Sequence, residues 1–182
     1  PNGQGVRKLA SQLMILLSFG GDEDIRREAL EIVSQNPSMT LSRAALQSLH
    51  QVECEEREVA MQIFYDTWKD KAVILDTWFN LKASMPMQNG LDEIKSLLSH
   101  PKYDPLAPNS IRAVLGGICS NIPLFHSLNG IGYDFISDEL ISLDTRNPVT
   151  ASRLVKCFSR WNSYSSPHRE EMLKSINKMK KA

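Results

Sequence analysis

The 182-residue sequence has little cysteine, no excess of one charge and no long apolar run. Its three cysteines, Cys54, Cys119 and Cys157, are odd in number and far apart, which predicts reduced core or surface thiols in a reducing compartment, the cytoplasm. The 21 basic residues balance the 21 acidic ones, which disfavours nucleic acid and anionic membranes as partners, because both bind basic surfaces. The longest apolar run, Leu13–Leu17, is far shorter than the roughly 20 residues that cross a bilayer.

The motifs of metal and nucleophilic catalysis are also missing. There is no H-E-x-x-H and no C-x-x-C, and the four histidines are far apart, so we expect no metal site and no cofactor in this chain. Gly130-x-Gly132 follows no strand pattern, which disfavours a dinucleotide-binding loop. No base is adjacent to any cysteine in the sequence. We therefore predict that the chain alone has no catalytic residue and no enzymatic activity.

Apolar residues recur at spacings of three and four along almost the whole chain, which is typical of amphipathic helices, and strand alternation is almost absent. Capping and turn signals divide the sequence into ten predicted helices. They are Val6–Phe19, ended by Gly20-Gly21; a helix capped by Asp22; one from Thr40; one opened by Glu53–Glu56; Lys71–Ala83; one capped by Asn89; one capped by Asn109 or Ser110; one carrying Ile136, Leu140 and Leu143; and two that open at Asn147-Pro148 and Ser166-Pro167.

Several apolar stripes are predicted to face inward. Leu9, Leu13, Leu16 and Leu17 align in the first helix, Val59, Ile63 and Phe64 in the fourth, and Ile111, Val114, Leu115 and Ile118 in the seventh. The fifth helix is apolar on most of its circumference, Val73 included, which is typical of a central helix.

Ten helices with short connections form five pairs, about one pair per 30–35 residues, which is the spacing of helical-repeat solenoids. We find no tetratricopeptide or ankyrin signature. The sequence therefore predicts an all-α fold, a superhelical stack of about ten antiparallel helices in pairs (an armadillo- or HEAT-like solenoid). We expect a single helical-repeat domain over residues 1–182. The loop His100–Pro108, with three prolines, is the best candidate for a break, but we interpret it as a surface loop.

A cationic stripe is predicted on the ninth helix. Arg153, Lys156 and Arg160 share one face at i, i+3 and i+7. Such a stripe can meet carboxylates of a ligand or of a neighbouring domain. The other interpretation is a solvated helix face, which periodicity alone favours.

Four motifs match one known family in order and spacing, closely from Asp76 to about Lys174 and more loosely before that. They are Asp76-Thr77-Trp78-Phe79, Asn109-x-Ile111-Arg112-x-x-x-Gly116, Phe125-His126-x-x-x-Gly130-x-Gly132-Tyr133-x-Phe135, and Asn147-Pro148-x-x-Ala151-Ser152-Arg153-Leu154. With them, the chain resembles the C-terminal helical domain of the alanyl aminopeptidase N family, in its bacterial and apicomplexan branch.

The resemblance implies a parent enzyme, a zinc-dependent aminopeptidase whose catalytic domain carries the H-E-x-x-H motif and the zinc. A chain that begins at Pro1 is then expected to be a fragment of that parent. In the family this helical domain closes over the catalytic domain and walls a chamber that admits short peptides. Arg153 matches the family arginine that faces the chamber near the primed subsites. Val149 matches a neighbouring position that is polar in some relatives, and Asn129 replaces a common aspartate.

We therefore predict a domain that walls the catalytic chamber, limits substrate access and supplies primed-side contacts through Arg153 and Val149. Its predicted partners are the catalytic domain of the same polypeptide and short peptides. The alternative is a stand-alone helical-repeat module that binds a protein partner.

Overall fold

The computed structural model describes residues 4–18, 22–36, 38–50, 52–86 and 90–182. Eleven α-helices and two 3₁₀ helices occur in these ranges, and no strand does. The α-helices are α1 Gln4–Ser18, α2 Glu23–Gln35, α3 Met39–Leu49, α4 Glu55–Trp68, α5 Ala72–Ser84, α6 Gly90–Leu98, α7 Pro108–Ser120, α8 Ile122–Phe125, α9 Ile131–Asp144, α10 Pro148–Leu154 and α11 His168–Lys181. The 3₁₀ helices are Val155–Phe158 and Trp161–Ser163. The all-α prediction is confirmed.

Two of the predicted helix caps are present as expected. The Asp22 carboxylate accepts a hydrogen bond from the Asp24 amide at 2.9 Å, and the Asn147 side chain accepts one from the Thr150 amide at 3.0 Å. Each satisfies an amide that has no partner within its helix. The cap predicted at Asn89 and the Gly20-Gly21 stop lie outside the described residues.

Three predicted helix starts are wrong by one to three residues. α3 begins at Met39 because Ser38 caps it, its hydroxyl accepting from the Leu41 amide at 3.3 Å. α7 begins at Pro108, before Asn109 and Ser110, since proline suits the first helical turn. α11 begins at His168, one residue after the proline that was expected to open it.

One helix, α8, is not among the ten that the sequence predicts. α8 follows α7 directly, and Asn121 caps it by accepting from the Leu124 amide at 3.2 Å. The Asn121 amide donates in turn to the Met85 carbonyl at 2.8 Å, so one buried side chain fixes both the turn after α7 and the segment after α5. A four-residue helix is too short to give an apolar period.

The chain divides into two compact units, Pro1–Leu81 and Lys82–Ala182. The division falls within α5 and not at the loop His100–Pro108. In the first unit α3 packs against α1 and α2, and α4 packs against α2. Its core includes Ala29, Val33, Ala45, Leu46, Leu49, Ala60, Met61, Phe64, Leu75 and Phe79.

Apolar residues of the helices predicted for the first unit are exposed on α1, α4 and α5. Val59 is 40% exposed because α4 buries Ala60, Met61 and Phe64, a stripe rotated by about one residue. Val73 is 77% exposed, since a helix that is apolar almost all round does not specify which side is covered. The aligned leucines of α1 are also exposed: Leu9, Leu13, Leu16 and Leu17.

The second unit holds both predicted site residues. α9 packs against α10 and α11, and α7 packs against α6, α8 and α10. Its core confirms the stripes predicted for α7 and α9, and comprises Ile94, Ile111, Val114, Leu115, Ile118, Phe125, Tyr133, Ile136, Leu140, Leu143, Phe158 and Met172.

Candidate functional site

Val149 and Arg153 lie four residues apart in α10 and therefore share one helix face. Val149 is 62% exposed, and the Arg153 side chain is exposed as well. Ala151, on the opposite side, is buried and attaches the helix to the core. Among the residues that the structure describes, the Arg153 guanidinium makes no hydrogen bond and no ion pair. The pair thus presents a charged and an apolar side chain together, with the charge available for a partner.

The predicted cationic stripe is not one continuous α-helical face. α10 ends at Leu154, and the chain continues as the 3₁₀ helix Val155–Phe158. A 3₁₀ helix has three residues per turn, so the i, i+7 alignment of Arg153 with Arg160 does not hold. Lys156 and Arg160 are exposed, as Arg153 is.

A groove of about 300 Å³ lies on the other side of α10. Its lining residues come from α9, α10 and the C-terminal end of the chain: Leu140, Ile141, Asp144, Thr145, Ala151, Ser152, Val155, Met179 and Ala182. Neither Arg153 nor Val149 lines it. The structure therefore places the predicted site on an open helix face and not in this groove.

A cluster of rings connects α8, α9 and α11, in which Phe125 and Tyr133 are buried and His126, Tyr164 and His168 are half-buried. The Tyr133 hydroxyl lies 2.6 Å from Nδ1 of His126 and 3.5 Å from Nδ1 of His168. On its other edge, Nε2 of His126 lies 3.2 Å from the Tyr164 hydroxyl. Phe125 packs edge-on against Tyr133, with ring centroids 5.0 Å apart. Both ring nitrogens of His126 are thus occupied by hydroxyl groups of the protein.

Burial sets the acid–base properties of this ring cluster. It raises the pKa of Tyr133 to about 12, with the nearby Tyr164 adding to the effect, and it lowers the pKa of His126, to which His168 contributes. The fully buried Tyr133 and the half-buried His126 contact each other and connect α9 to the end of α8, so this contact has a structural role. In the sequence, the motif that contains Phe125, His126 and Tyr133 indicates three of the five rings of this cluster. Tyr164 and His168 are too distant in sequence for any local pattern to indicate them.

The local backbone geometry requires glycine at Gly130 and Gly132, which belong to the same sequence motif as His126 and Tyr133. A Cβ on Gly132 would lie 2.3 Å from the Leu124 carbonyl oxygen and 2.7 Å from Cα of Phe125, which no real Cβ tolerates. Gly130 has φ +71°, a left-handed conformation that glycine adopts without strain. The motif therefore sets the close packing of α9 on α8 and is not a phosphate-binding loop.

In a charged crevice between α9 and α11, each of two lysines contacts a carboxylate. Lys178 contacts the Asp134 and Asp138 carboxylates at 2.6 and 2.8 Å, and Lys174 contacts Glu171 at 2.6 Å. The three carboxylates and two ammonium groups together leave one negative charge in excess.

Neither a metal-binding cluster nor a membrane-spanning helix occurs in the described ranges. No three His, Cys, Asp or Glu side chains in those ranges converge closely enough to hold a metal ion. In the same part of the chain, no helix has the length and apolar character needed to span a membrane. The absence of a metal site stays a prediction for the whole chain.

The relatives of this chain are bacterial aminopeptidases. It is 33% identical to aminopeptidase N of Escherichia coli over 144 residues, and 35% identical to aminopeptidase N of Caulobacter vibrioides over 109 residues. These alignments cover 79% and 59% of this chain but only 17% and 13% of the two relatives. The crystal structure of Legionella pneumophila aminopeptidase A in complex with aspartic acid superimposes with a TM-score of 0.85 at 28% identity, over 96% of this chain and 21% of that one.

The profile of a domain of unknown function described as ARM repeats, DUF3458_C, matches residues 1–182. That description agrees with the predicted armadillo-like solenoid, and the aminopeptidase matches confirm the resemblance to the C-terminal helical domain of aminopeptidase N. The chain belongs to the DUF3458_C family of ARM-repeat domains.

Proposed function

We propose that this chain is part of a zinc-dependent aminopeptidase, in which it walls the peptide-binding chamber and limits access to short peptides. The names of its relatives support the activity, and the share of their length that it spans, 13% to 17%, supports a larger parent that carries the zinc and its ligands. Arg153 and Val149 are the residues proposed to face the primed side of the bound peptide.

The observation that carries this proposal is the shared, exposed face of Val149 and Arg153 on α10. Capping by Asn147 at the start of α10, with Pro148 in the first turn, fixes where this face begins. A guanidinium stays charged at any physiological pH and can donate two parallel hydrogen bonds to a carboxylate. Arg153 therefore fits recognition of a peptide carboxylate or of backbone carbonyls, while Val149 offers the same ligand an apolar contact.

An apolar face on α1 supports a covering partner within the same polypeptide. Leu9 and Leu16 are 62% and 65% exposed, and Leu13 and Leu17 add to the same helix. Contiguous apolar surface of this kind marks an interaction site. Because the chain spans 21% of the Legionella structure, we assign this face to contact with the remaining parts of the parent enzyme.

The test of Arg153 compares two substrates in the full-length parent. Arg153→Ala should lower kcat/KM for a tripeptide by about 10-fold or more, because a partly desolvated charged hydrogen bond contributes roughly 1.5–3 kcal/mol. For an alanyl anilide, which has no primed-side residue, kcat/KM should fall less. Arg153→Lys keeps the charge and loses the paired donors, so an intermediate effect is expected.

Arg160→Ala is the matched control, since it removes an exposed cation seven residues away. Arg160→Ala should leave kcat/KM unchanged for both the tripeptide and the anilide. Equal losses on the tripeptide and the anilide, or a large fall in melting temperature for Arg153→Ala, would assign Arg153 a structural role and contradict the proposal.

The proposed parent has a separate test in the coding sequence upstream. An H-E-x-x-H motif followed by a glutamate ligand supports the aminopeptidase. If that region lacks the motif, the exposed α1 face instead favours a stand-alone helical-repeat module that binds a protein partner. The 182-residue chain itself should hold no stoichiometric zinc and hydrolyse no aminoacyl substrate, which metal analysis and an alanyl reporter assay would check.

A further inference from the structure

The ring cluster between α8, α9 and α11 contains two imidazoles that share one hydroxyl group. The Tyr133 hydroxyl lies 2.6 Å from Nδ1 of His126 and 3.5 Å from Nδ1 of His168, and the two imidazole centroids are 6.0 Å apart. Nε2 of His126 lies 3.2 Å from the Tyr164 hydroxyl. Four side chains thus form a series of three contacts, in the order Tyr164, His126, Tyr133 and His168.

The cluster has enough donors and acceptors for one extra proton. A neutral imidazole has one N–H and one acceptor nitrogen, a charged imidazole has two N–H groups, and a tyrosine hydroxyl both donates and accepts. If only His168 is charged, it donates to Tyr133, which donates to Nδ1 of His126. If only His126 is charged, it donates to both hydroxyls, and Tyr133 donates to His168. One proton therefore leaves all three contacts intact.

A second proton is incompatible with this arrangement. When both imidazoles are charged, both direct an N–H at the Tyr133 hydroxyl, whose own hydrogen then has no acceptor in the cluster. Because Tyr133 is fully buried, bulk water offers no acceptor in its place. Two positive charges on rings 6.0 Å apart also repel each other. One contact to Tyr133 must therefore open.

No carboxylate of the described residues forms an ion pair with either imidazole, so a second charge would not be neutralised. The titratable side chains that face His126 come from three segments: Tyr133 on α9, Tyr164 before α11 and His168 on α11. The acidic side chains in the first turns of α9 and α11 have other partners, which are Lys178 for Asp134, Lys174 for Glu171 and the Ser166 hydroxyl for Glu170. Burial lowers the pKa of His126, and the nearby His168 adds to this effect.

We propose that the ring cluster is a pH-sensitive switch, which binds one proton with its contacts intact and releases the start of α11 when it binds a second. The contact that opens is the one to His168, since it is the longest of the three. His168 is also the first residue of α11, where the positive end of the helix dipole disfavours a cation. Release ends before Met172, which is fully buried. Beyond it, Lys178 holds α11 on α9 through two carboxylates.

The first test follows the two protonation steps in the full 182-residue chain by NMR of the imidazole signals, from about pH 8 to about pH 5. His168→Gln removes one charge and keeps a hydrogen-bonding group. It should strengthen proton binding at His126 by roughly three-fold or more, because that factor applies to two charges 6.0 Å apart even in bulk water. His100→Gln, which changes another half-buried histidine outside the cluster, should leave proton binding at His126 unchanged.

A second pair of variants distinguishes the shared hydroxyl from repulsion between the charges alone. Tyr133→Phe removes the hydroxyl between the imidazoles and should weaken the effect of His168→Gln on His126. Tyr164→Phe is the matched control, since it removes the hydroxyl on the other edge of His126 and should leave that effect in place. An equal effect of His168→Gln in both backgrounds would overturn the proposal.

The second test measures the release itself by amide hydrogen exchange. The amides of Arg169 and Glu171 donate to carbonyls of the preceding segment, both at 3.1 Å. Relative to their intrinsic exchange rates, these amides should lose protection several-fold once both histidines are charged. The Lys178 amide should keep its protection, since the second half of α11 stays attached.

The unmodified chain tests the switch even if a variant fails to fold, because the protonation steps and the exchange are both measured on it. Coupled protonation with no loss of protection at Arg169 and Glu171 would overturn the proposal, since the cluster would then hold two protons without releasing the helix. Loss of protection along the whole of α11, or unchanged proton binding at His126 in His168→Gln, would overturn it as well.

Discussion

The Tyr133 hydroxyl and Nδ1 of His126 are 2.6 Å apart, and this contact connects the first turn of α9 to the residue that ends α8. Two further hydroxyl–imidazole contacts extend it to Tyr164 and His168. Because Tyr133 is fully buried, the network lies in the core of the second unit and bears on its stability.

Stability should fall as the pH drops through the range in which histidine titrates. Burial, assisted by the nearby His168, lowers the pKa of His126 below 6.5, so the unfolded chain binds this proton more readily than the folded chain does. The contribution is fully present above 6.5 and is lost as the pH falls towards the lower folded-state pKa. Urea unfolding at a series of pH values, followed by circular dichroism, measures this dependence.

Histidines elsewhere contribute in the same direction, since burial also lowers the pKa of His50 and of His100. His126→Gln should therefore reduce the pH dependence without abolishing it. A variant whose pH dependence equals that of the unmodified chain would show that His126 does not contribute.

Gly132 should not tolerate a methyl group. Gly132→Ala would place Cβ 2.3 Å from the Leu124 carbonyl oxygen, and since this neighbour is backbone, α8 and α9 would have to separate. We expect a loss of about 3 kcal/mol or more in the free energy of unfolding. Gly116→Ala is the matched control, since its nearest neighbour would be a leucine methyl 3.8 Å away. That change should be neutral or stabilise by up to about 1 kcal/mol, because alanine favours helix more than glycine does. Similar losses for both variants would contradict the steric explanation.

Replacing asparagine by aspartate should lower the stability of the fold strongly at Asn121 and very little at Asn129. The buried Asn121 amide donates to the Met85 carbonyl at 2.8 Å, so Asn121→Asp would place a carboxylate oxygen against that carbonyl. An uncompensated buried charge of this kind destabilises by about 3–5 kcal/mol.

Asn129 is exposed, and its side-chain oxygen accepts from the Ile131 amide at 3.2 Å. Asn129→Asp keeps that bond at a helix N-terminus, where negative charge is favourable, and should change stability by less than about 0.5 kcal/mol. Chemical denaturation of the two variants at neutral pH provides the comparison. Equal effects would mean that the Asn121 donor is not needed.

The cap of α10 should contribute measurably to stability. Asn147→Ala removes the acceptor of the Thr150 amide and should cost about 1 kcal/mol in urea unfolding, whereas Asn147→Asp should retain most of it. Ser152→Ala is the control within the same helix. Its hydroxyl is exposed and bonds only the Val149 carbonyl, so a change below about 0.5 kcal/mol is expected. If Asn147→Ala costs no more than Ser152→Ala, the cap does not stabilise α10.

Features that depend only on nearby residues can be predicted from the sequence. The caps at Asp22 and Asn147 are visible in sequence because a capping side chain reaches an amide two or three residues away. The stripe Ile111, Val114 and Ile118 is visible because α7 alternates apolar and polar residues at the helical period. The position of Arg153 opposite Ala151 also follows from helical spacing alone.

Packing between helices fixes which surfaces are covered and which distant residues meet, and the sequence does not predict these. Val73 is exposed although its helix is apolar on nearly every side, because burial depends on what packs there and not on the helix's own composition. The contacts of Asn121 with Met85 and of Tyr133 with His168 join segments separated by more than 30 residues. A side chain's own neighbours in sequence carry no information about such partners, since packing between helices brings them together.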